Sequence, residues 1–135
     1  MNDTRPFPWR PGMLVRLRKG WAGIIPKGAL VRIISQARPR VWNVAHQPGI
    51  RVYVCPVQQY LLGEPDLTDG ATKGALLDAI REERGDPTLS LIYDPQGCFW
   101  AVVRFERDGL EDARVTLGTG QTGGEALMAA WRAAP

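Results

Sequence analysis

The chain has 135 residues, of which 44% are hydrophobic and 23% are charged, enough for one ordinary domain or two very small ones. This composition is typical of a folded globular protein and excludes a large enzyme fold and a disordered chain. No stretch approaches the ~18 consecutive apolar residues of a membrane span, and the N-terminus lacks the apolar segment of a signal peptide. We therefore expect a protein of the cytoplasm that makes no membrane contact.

Two cysteines, Cys55 and Cys98, and one histidine, His46, limit the chemistry available to the chain. They cannot complete a tetrahedral zinc site of nitrogen and sulfur ligands, so we predict no metal site. Both cysteines lie in apolar runs typical of core strands, whereas His46 lies in a stretch typical of a solvated turn. These counts favour a protein that is not an enzyme.

The net charge of +3 is divided unequally along the chain. Residues 1–62 contain ten Lys and Arg but only one acid, Asp3, which is a charge of +9. Residues 63–135 contain seven Lys and Arg against thirteen Asp and Glu, which is a charge of −6. Opposite charges indicate two modules, and we expect the first to bind a polyanion or an acidic protein surface.

The first module, residues 1–62, has the pattern of short strands separated by turns. Alternation of apolar with basic side chains and an enrichment in β-branched residues both predict strands. Glycine and proline mark the turns between them. Several short strands at this spacing indicate a small β-barrel. The predicted strands cover residues 13–18, 29–35, 41–44 and 50–55.

Two segments of this module, Arg10–Leu17 (Arg-Pro-Gly-Met-Leu-Val-Arg-Leu) and Ile25–Ile34 (Ile-Pro-Lys-Gly-Ala-Leu-Val-Arg-Ile-Ile), resemble the opening of SH3-like and KOW-type barrels. Those families begin with a Pro-Gly-x-x-Val-x-hydrophobic strand and return through a hairpin that contains Pro-x-Gly. The resemblance covers residues 10–34 and implies an SH3-like barrel for residues 1–62.

The charge changes sign at a segment, residues 63–71, that is polar and rich in turn-forming residues. This composition predicts a linker between the two modules. The pattern of residues 72–85 then predicts a helix. Asp69 or Thr72 is expected to cap its start, and Gly85 is expected to end it in a left-handed conformation.

The second module covers residues 72–135 and continues with three strands and a last helix. Thr122 or Gly123 is expected to open that helix, whose apolar residues share one face. The module is therefore predicted to be α-β-β-β-α, and the fold class of the chain is α+β. The strands are predicted at 89–93, 98–106 and 113–117, and the helix at 124–133.

The second module resembles the double-stranded-RNA-binding domain. Leu76–Gly85 and Tyr93–Phe99 correspond to the first helix and first hairpin of that family. Gly118–Ala130 corresponds to its Gly-x-Gly-x-Ser-Lys-Lys-x-Ala-Lys-x-x-Ala-Ala motif. HicB-type antitoxins and small phage proteins share this fold in part. The resemblance implies a two-layer α-β-β-β-α fold.

The residues that bind RNA in that family are replaced in this chain. Gly123, Gly124 and Leu127 stand where the family has the three lysines of its phosphate clamp, and the hairpin lacks the family's minor-groove histidine. Glu125 adds a negative charge at the same place. These departures imply that the acidic module does not bind RNA.

Basic and aromatic side chains are interspersed in the first module. Guanidinium groups bind phosphate in bidentate geometry and aromatic rings stack on exposed bases, as single-stranded nucleic acid requires. Taken singly, Trp21 and Trp42 are more simply interpreted as core residues, but an arginine excess without acids favours a binding function. The candidate binding residues are Arg16, Arg18, Lys19, Trp21, Arg32, Arg38, Arg40, Trp42, Arg51 and Tyr53.

The glycine-rich segment Gly118–Gly124 is interpreted as a strand-to-helix turn, because it lacks the Lys-Ser/Thr pair of a phosphate-binding loop. Carboxylate pairs such as Glu82–Glu83 lie beside arginines and are typical of solvated surface charge. We therefore predict neither a cofactor nor a catalytic residue.

The leading hypothesis is a non-catalytic regulator or adaptor. Its basic barrel would bind nucleic acid, a ribonucleoprotein or a transcription complex, and its acidic module would contact protein. The alternative is a phage-type inhibitor whose barrel binds an acidic surface of a host protein, RNA polymerase or a defence nuclease, without touching nucleic acid. Both need the same positive charge, so the sequence does not separate them.

Overall fold

The computed structural model describes residues 5–108 and 111–133. The strands are β1 (Leu14–Leu17), β2 (Leu30–Arg38), β3 (Val41–His46), β4 (Tyr53–Gln58), β5 (Leu62–Pro65), β6 (Ser90–Asp94), β7 (Phe99–Asp108) and β8 (Glu111–Gly120). The helices are α1 (Gly70–Arg84) and α2 (Gly123–Arg132), and a single 3₁₀ turn, η1, covers Gln59–Leu61. The α+β class predicted from the sequence is confirmed.

The chain forms two compact units. Trp9–Ala75 forms one, which we name the basic unit. Met1–Pro8 and Leu76–Pro135 form the other, which we name the acidic unit. The division falls within α1, whereas the sequence predicted modules at 1–62 and 72–135.

The strands of the basic unit form one antiparallel sheet in the order β4-β3-β2-β1-β5. Alternate side chains along the strands are buried, as their pattern predicts. β4 and β5 are the sheet edges, so the described strands do not form the closed barrel that the sequence predicted. Pro56 lies in the edge strand β4 and has no N–H with which to extend the sheet. The buried residues include Met13, Val15, Leu17, Val31, Ile33, Val44, Cys55 and Val57.

Residues predicted as the linker, 63–71, contribute to both a strand and a helix. β5 pairs with β1 through Leu17↔Leu62 and Val15↔Pro65. The close approach depends on Gly63, where an added Cβ would lie 2.6 Å from the carbonyl oxygen of Arg16. The sequence Leu-Gly-Glu-Pro contains two turn-forming residues, and its strand conformation comes from pairing with β1.

Helix α1 begins at the predicted cap and ends at the predicted glycine. The carboxylate of Asp69 accepts hydrogen bonds from the Thr72 N–H, at 3.0 Å, and from the Thr72 hydroxyl, at 2.8 Å. The Thr72 oxygen in turn accepts the N–H of Leu14, so the cap is tied to β1. Gly85 follows the helix with a φ of 63°. Asp69 is therefore the helix cap, and the left-handed stop is confirmed.

In the acidic unit, β6, β7 and β8 form an antiparallel sheet in that order, and α2 packs against all three strands. Two glycines of β8 allow this packing. A Cβ on Gly118 would lie 2.7 Å from the Ala126 oxygen, and one on Gly120 would lie 2.7 Å from the Ala126 nitrogen. The helix thus rests directly on the strand backbone. Its buried face contains Ala126, Leu127, Ala130 and Trp131, as predicted.

Candidate functional site

Most of the positive charge of the basic unit is not neutralised within the unit. It contains ten Lys and Arg and three acids, a formal charge of +7, whereas the acidic unit carries seven against eleven, or −4. Five exposed cations form neither an ion pair nor a side-chain hydrogen bond with any residue that the structure describes, whereas Arg16 and Arg18 donate to backbone carbonyls. A surface with this excess of one sign attracts an anionic partner. The five are Lys19, Lys27, Arg38, Arg40 and Arg51.

Arg32, one of the predicted binding residues, is used by the fold. Its guanidinium donates to both carboxylate oxygens of Asp69, at 2.8 and 3.3 Å, and to the carbonyl of Gly12 at 2.9 Å. The hydrogen bond from Arg32 lowers the pKa of Asp69 to about 2, and it raises the pKa of Arg32. Arg32 therefore anchors the cap of α1 to β2 and leaves little donor capacity for a ligand.

Of the two predicted tryptophans, Trp42 is buried and Trp21 is half-buried. Trp42 is only 6% exposed, and its indole N–H donates to the side-chain oxygen of Gln59 at 3.0 Å. Trp21 is half-buried in the loop after β1, where its backbone N–H donates to the carbonyl of Ile25. The interpretation of Trp42 as a core residue is therefore the correct one.

The backbone of the turn η1 forms hydrogen bonds with the backbones of two predicted arginines, and the turn contains an aromatic residue that sequence reasoning missed. The N–H of Gln59 donates to the carbonyl of Arg40, and the N–H of Arg18 donates to the carbonyl of Leu61, each at 2.8 Å. Tyr60 lies between these two hydrogen bonds, and its side chain is 69% exposed. We name Arg18, Arg40 and Tyr60 the η1 cluster.

The neighbours of Tyr60 explain why its side chain faces solvent. Leu61 is buried, and the Gln59 carboxamide is occupied by Trp42, so both flanking residues are fixed. Tyr60 follows β4 and precedes the segment with a linker-like composition, where the sequence shows no strand or helix period. The place of Tyr60 in the fold depends on the pairing of β5 with β1, which the local sequence pattern does not show.

Arg18 is held by its inner nitrogen. Its Nε donates to the carbonyl of Leu62 at 3.2 Å, and its stem passes over Gly63. The terminal nitrogens donate to no residue that the structure describes. An arginine held in this way keeps both terminal NH₂ groups for a bidentate acceptor such as phosphate.

Arg40 occupies a turn position that favours glycine. Pro39 and Arg40 are the central residues of the turn between β2 and β3, in which Arg38 is paired with Val41. Arg40 has a φ of 64°. A left-handed conformation costs a residue with a Cβ about 1–2 kcal/mol, so the cation is placed here at a cost in stability.

Two other predicted cations lie next to the cluster in the chain. Lys19 follows Arg18, and Arg38 lies across the turn from Arg40, and both are exposed. They extend the cationic surface around the η1 cluster.

The remaining predicted residues lie elsewhere on the basic unit. Tyr53 is paired with His46 at one end of β3, whereas Arg40 precedes Val41 at the other end. The intervening residues span ~17 Å, since a strand rises about 3.4 Å per residue. Arg51 lies in the segment before Tyr53 and shares its end of the sheet. Arg16 is exposed and donates to the carbonyl of Gly28 at 2.6 Å.

His46 is not the solvated turn residue that the sequence predicted. It is the last residue of β3 and is 7% exposed, because the strand extends two residues beyond its predicted end. Cys55 is buried in β4, and burial raises the pKa of its thiol. Cys98 was predicted to be a core residue, but it is exposed in the β6–β7 turn.

Within residues 5–106 and 113–133, no three His, Cys, Asp or Glu side chains lie close enough together to hold a metal ion. No helix in those same ranges has the length and apolar character needed to cross a membrane.

Comparison of the chain with protein-family models, with curated proteins and with solved structures returned no match. The function is therefore inferred from the geometry and charge of the two units.

Proposed function

We propose that this chain is a non-catalytic adaptor or regulator in which the basic unit binds nucleic acid and the acidic unit contacts protein. The observation that carries the proposal is the η1 cluster, in which the backbones of two exposed arginines are hydrogen-bonded to the residues on either side of an exposed tyrosine. Arginine and an aromatic ring are the two side-chain types that bind the phosphates and the bases of nucleic acid. The charge of +7 on the basic unit supports the same partner.

The fold proposal for the basic unit is an SH3-like arrangement. It is supported by the antiparallel order of β1 to β4, by the return of β5 to pair with β1, and by the 3₁₀ turn before β5. For the acidic unit we propose the two-layer α-β-β-β-α arrangement of the double-stranded-RNA-binding domain. The packing of α2 across β6, β7 and β8 supports it.

The start of α2 supports the proposal that the acidic unit does not bind RNA. The Thr122 hydroxyl accepts the N–H of Glu125, and the Glu125 carboxylate accepts the N–H of Gln121 at 2.8 Å. These side chains satisfy the helix end and place a negative charge there. A phosphate would be repelled at the position where the related family has its lysines.

Exposed aromatic residues support a protein-binding role for the acidic unit. Tyr93 is 47% exposed and Phe105 is 59% exposed on neighbouring strands of its sheet. Tyr93 stacks edge-on against Trp100, with ring centroids 5.4 Å apart. Aromatic side chains of this kind are enriched in protein interfaces.

The proposal is tested by fluorescence anisotropy with a labelled twelve-nucleotide oligothymidine and a twelve-base-pair duplex at low salt. Arg40→Glu and Arg51→Glu are matched variants, because each reverses one exposed charge in the basic unit. Arg40→Glu should weaken binding at least about tenfold, as loss of a charged hydrogen bond does. Arg51→Glu should change it by less than about threefold, because only screened, distant charge is altered.

If the two variants lose the same affinity, nucleic acid is attracted by the overall charge of the basic unit and not by a site at Arg40. If the protein binds neither oligonucleotide at low salt, the nucleic-acid proposal is wrong. The same cationic surface would then have to bind an acidic protein, as in the inhibitor alternative.

A further inference from the structure

We infer that the η1 cluster is a site for one unpaired nucleotide, with the base stacked on Tyr60 and the phosphates on either side bound by Arg18 and Arg40. The inference rests on the proposed function, and it adds that the protein selects single strands over duplex.

The ring of Tyr60 is exposed on a fixed backbone. Tyr60 is 69% exposed, although the residues on both sides of it are fixed in the chain. Gln59 is held by Arg40 and Trp42, and Leu61 is held by Arg18 and by burial. An exposed ring on a fixed backbone loses little conformational freedom when a base stacks on it. Tyr60 thus offers the stacking surface that the buried Trp42 does not.

Arg18 and Arg40 are available to bind the phosphates on either side of the stacked base. In a nucleic-acid strand each base is flanked along the chain by two phosphates. On either side of Tyr60, the backbone of Gln59 is hydrogen-bonded to the backbone of Arg40, and the backbone of Leu61 to that of Arg18. The free terminal nitrogens of Arg18 and the exposed side chain of Arg40 are available for these phosphates. A single guanidinium group can donate two parallel hydrogen bonds to the oxygens of one phosphate.

A site of this kind should select single strands over duplex. The flat faces of bases in a duplex are covered by their neighbours, so a duplex would meet the two arginines but not the tyrosine ring. A single strand can meet all three residues. Stacking does not read the edges of the base, so the site should accept different bases with similar affinity.

The backbone of Arg40 supports the assignment independently. Glycine would adopt the φ of 64° without strain, yet the chain has an arginine at this position. Backbone strain clusters at functional sites, and here it falls on a residue of the η1 cluster, although Ala22 and Cys98 have positive φ as well.

The experiment compares Tyr60→Ala with Tyr60→Phe, using the oligothymidine and the duplex described above. Tyr60→Ala should weaken oligothymidine binding roughly 5- to 100-fold, the range for loss of one stacked base, and leave duplex affinity unchanged. Tyr60→Phe keeps the ring and should restore single-strand binding. Val54→Ala removes another exposed apolar side chain of the basic unit, in β4, and should have no effect on either ligand.

The outcomes separate this inference from the proposed function. Three results would overturn the single-nucleotide site while leaving nucleic-acid binding intact. The wild type could bind the two ligands with equal affinity, Tyr60→Ala could lose equal affinity for both, or Tyr60→Phe could fail to restore binding. Absence of binding to either ligand would overturn both.

Discussion

The guanidinium of Arg5 lies over the indole of Trp131, with its central carbon 3.7 Å from the ring centroid. Arg5 also donates to the carbonyl of Trp131 and forms an ion pair with Glu83 in α1. The indole N–H of Trp131 donates to the carbonyl of Pro6 at 3.2 Å. Arg5 and Pro6 therefore contribute to the acidic unit, although the residues from Trp9 onward belong to the basic unit.

Replacement of Arg5 by alanine should lower the free energy of unfolding by about 1–2 kcal/mol, because a cation–π contact and a partly buried ion pair are lost together. Chemical denaturation measures this change. Lys27→Ala removes an exposed cation that has no ion pair in the described chain and should change stability by less than about 0.5 kcal/mol. Equal stabilities for the two variants would contradict the role of Arg5.

Stability should fall in acid through Asp69. Its pKa is lowered from 3.8 to about 2 by the hydrogen bond from Arg32, so the carboxylate stabilises the folded state above pH 3.8. That contribution is lost as the pH falls from 3.8 to about 2. Its size is about 1 kcal/mol, since Arg32 is 41% exposed and solvent screens the pair.

Asp69→Asn isolates this effect, because asparagine also caps helices but does not titrate in this range. Urea unfolding of wild type and variant between pH 5 and 2 should show a stability difference that shrinks as the pH falls. Asp78→Asn, which removes a carboxylate that is 59% exposed, serves as the control. A difference between wild type and Asp69→Asn that does not change with pH would exclude the Arg32–Asp69 contribution.

Arg40→Gly should raise stability while it weakens binding. Relief of the positive φ, partly offset by the freedom of glycine in the unfolded chain, predicts a gain of about 0.5–1 kcal/mol. Arg38→Gly, in the same turn but on the strand β2, should instead lower stability by a similar amount. Thermal unfolding and anisotropy measure the two effects. A destabilised Arg40→Gly would show that the arginine is not strained.

Gly118→Ala should destabilise the protein by at least about 2 kcal/mol, because the new methyl group would push against the backbone of α2. Gly74→Ala is the matched control: this glycine lies in α1 with open space around it. Alanine there should stabilise the helix by ~0.5–1 kcal/mol. Similar effects of the two changes would contradict the direct packing of α2 on β8.

Local patterns in the sequence predicted the elements whose stability is local. The alternation around Val15 and Leu17 identified β1. Asp69 or Thr72 was predicted to open the first helix and Thr122 or Gly123 the second, and the structure has Asp69 and Thr122 in these roles. β5 was missed because Gly63 and Pro65 have turn-forming propensity, and only pairing with β1 makes them a strand.

The candidate site was predicted only in part, because its members come together through long-range contacts. Charge alone identified Arg18 and Arg40 but also Arg32, whose partner Asp69 lies 37 residues away. Trp42 and Tyr60 are both aromatic, and only the fold shows that the first is buried and the second exposed.

Binding of phosphates by Arg18 and Arg40 should be visible in the salt dependence of oligothymidine affinity. Each phosphate contact on a single strand contributes about 0.7 to the slope of log affinity against log salt. The double variant Arg18→Gln, Arg40→Gln should therefore flatten the slope by about 1.4, whereas Arg38→Gln, Arg51→Gln, with the same change in charge, should flatten it less. Equal flattening in both pairs, or a wild-type affinity that does not depend on salt, would contradict the account.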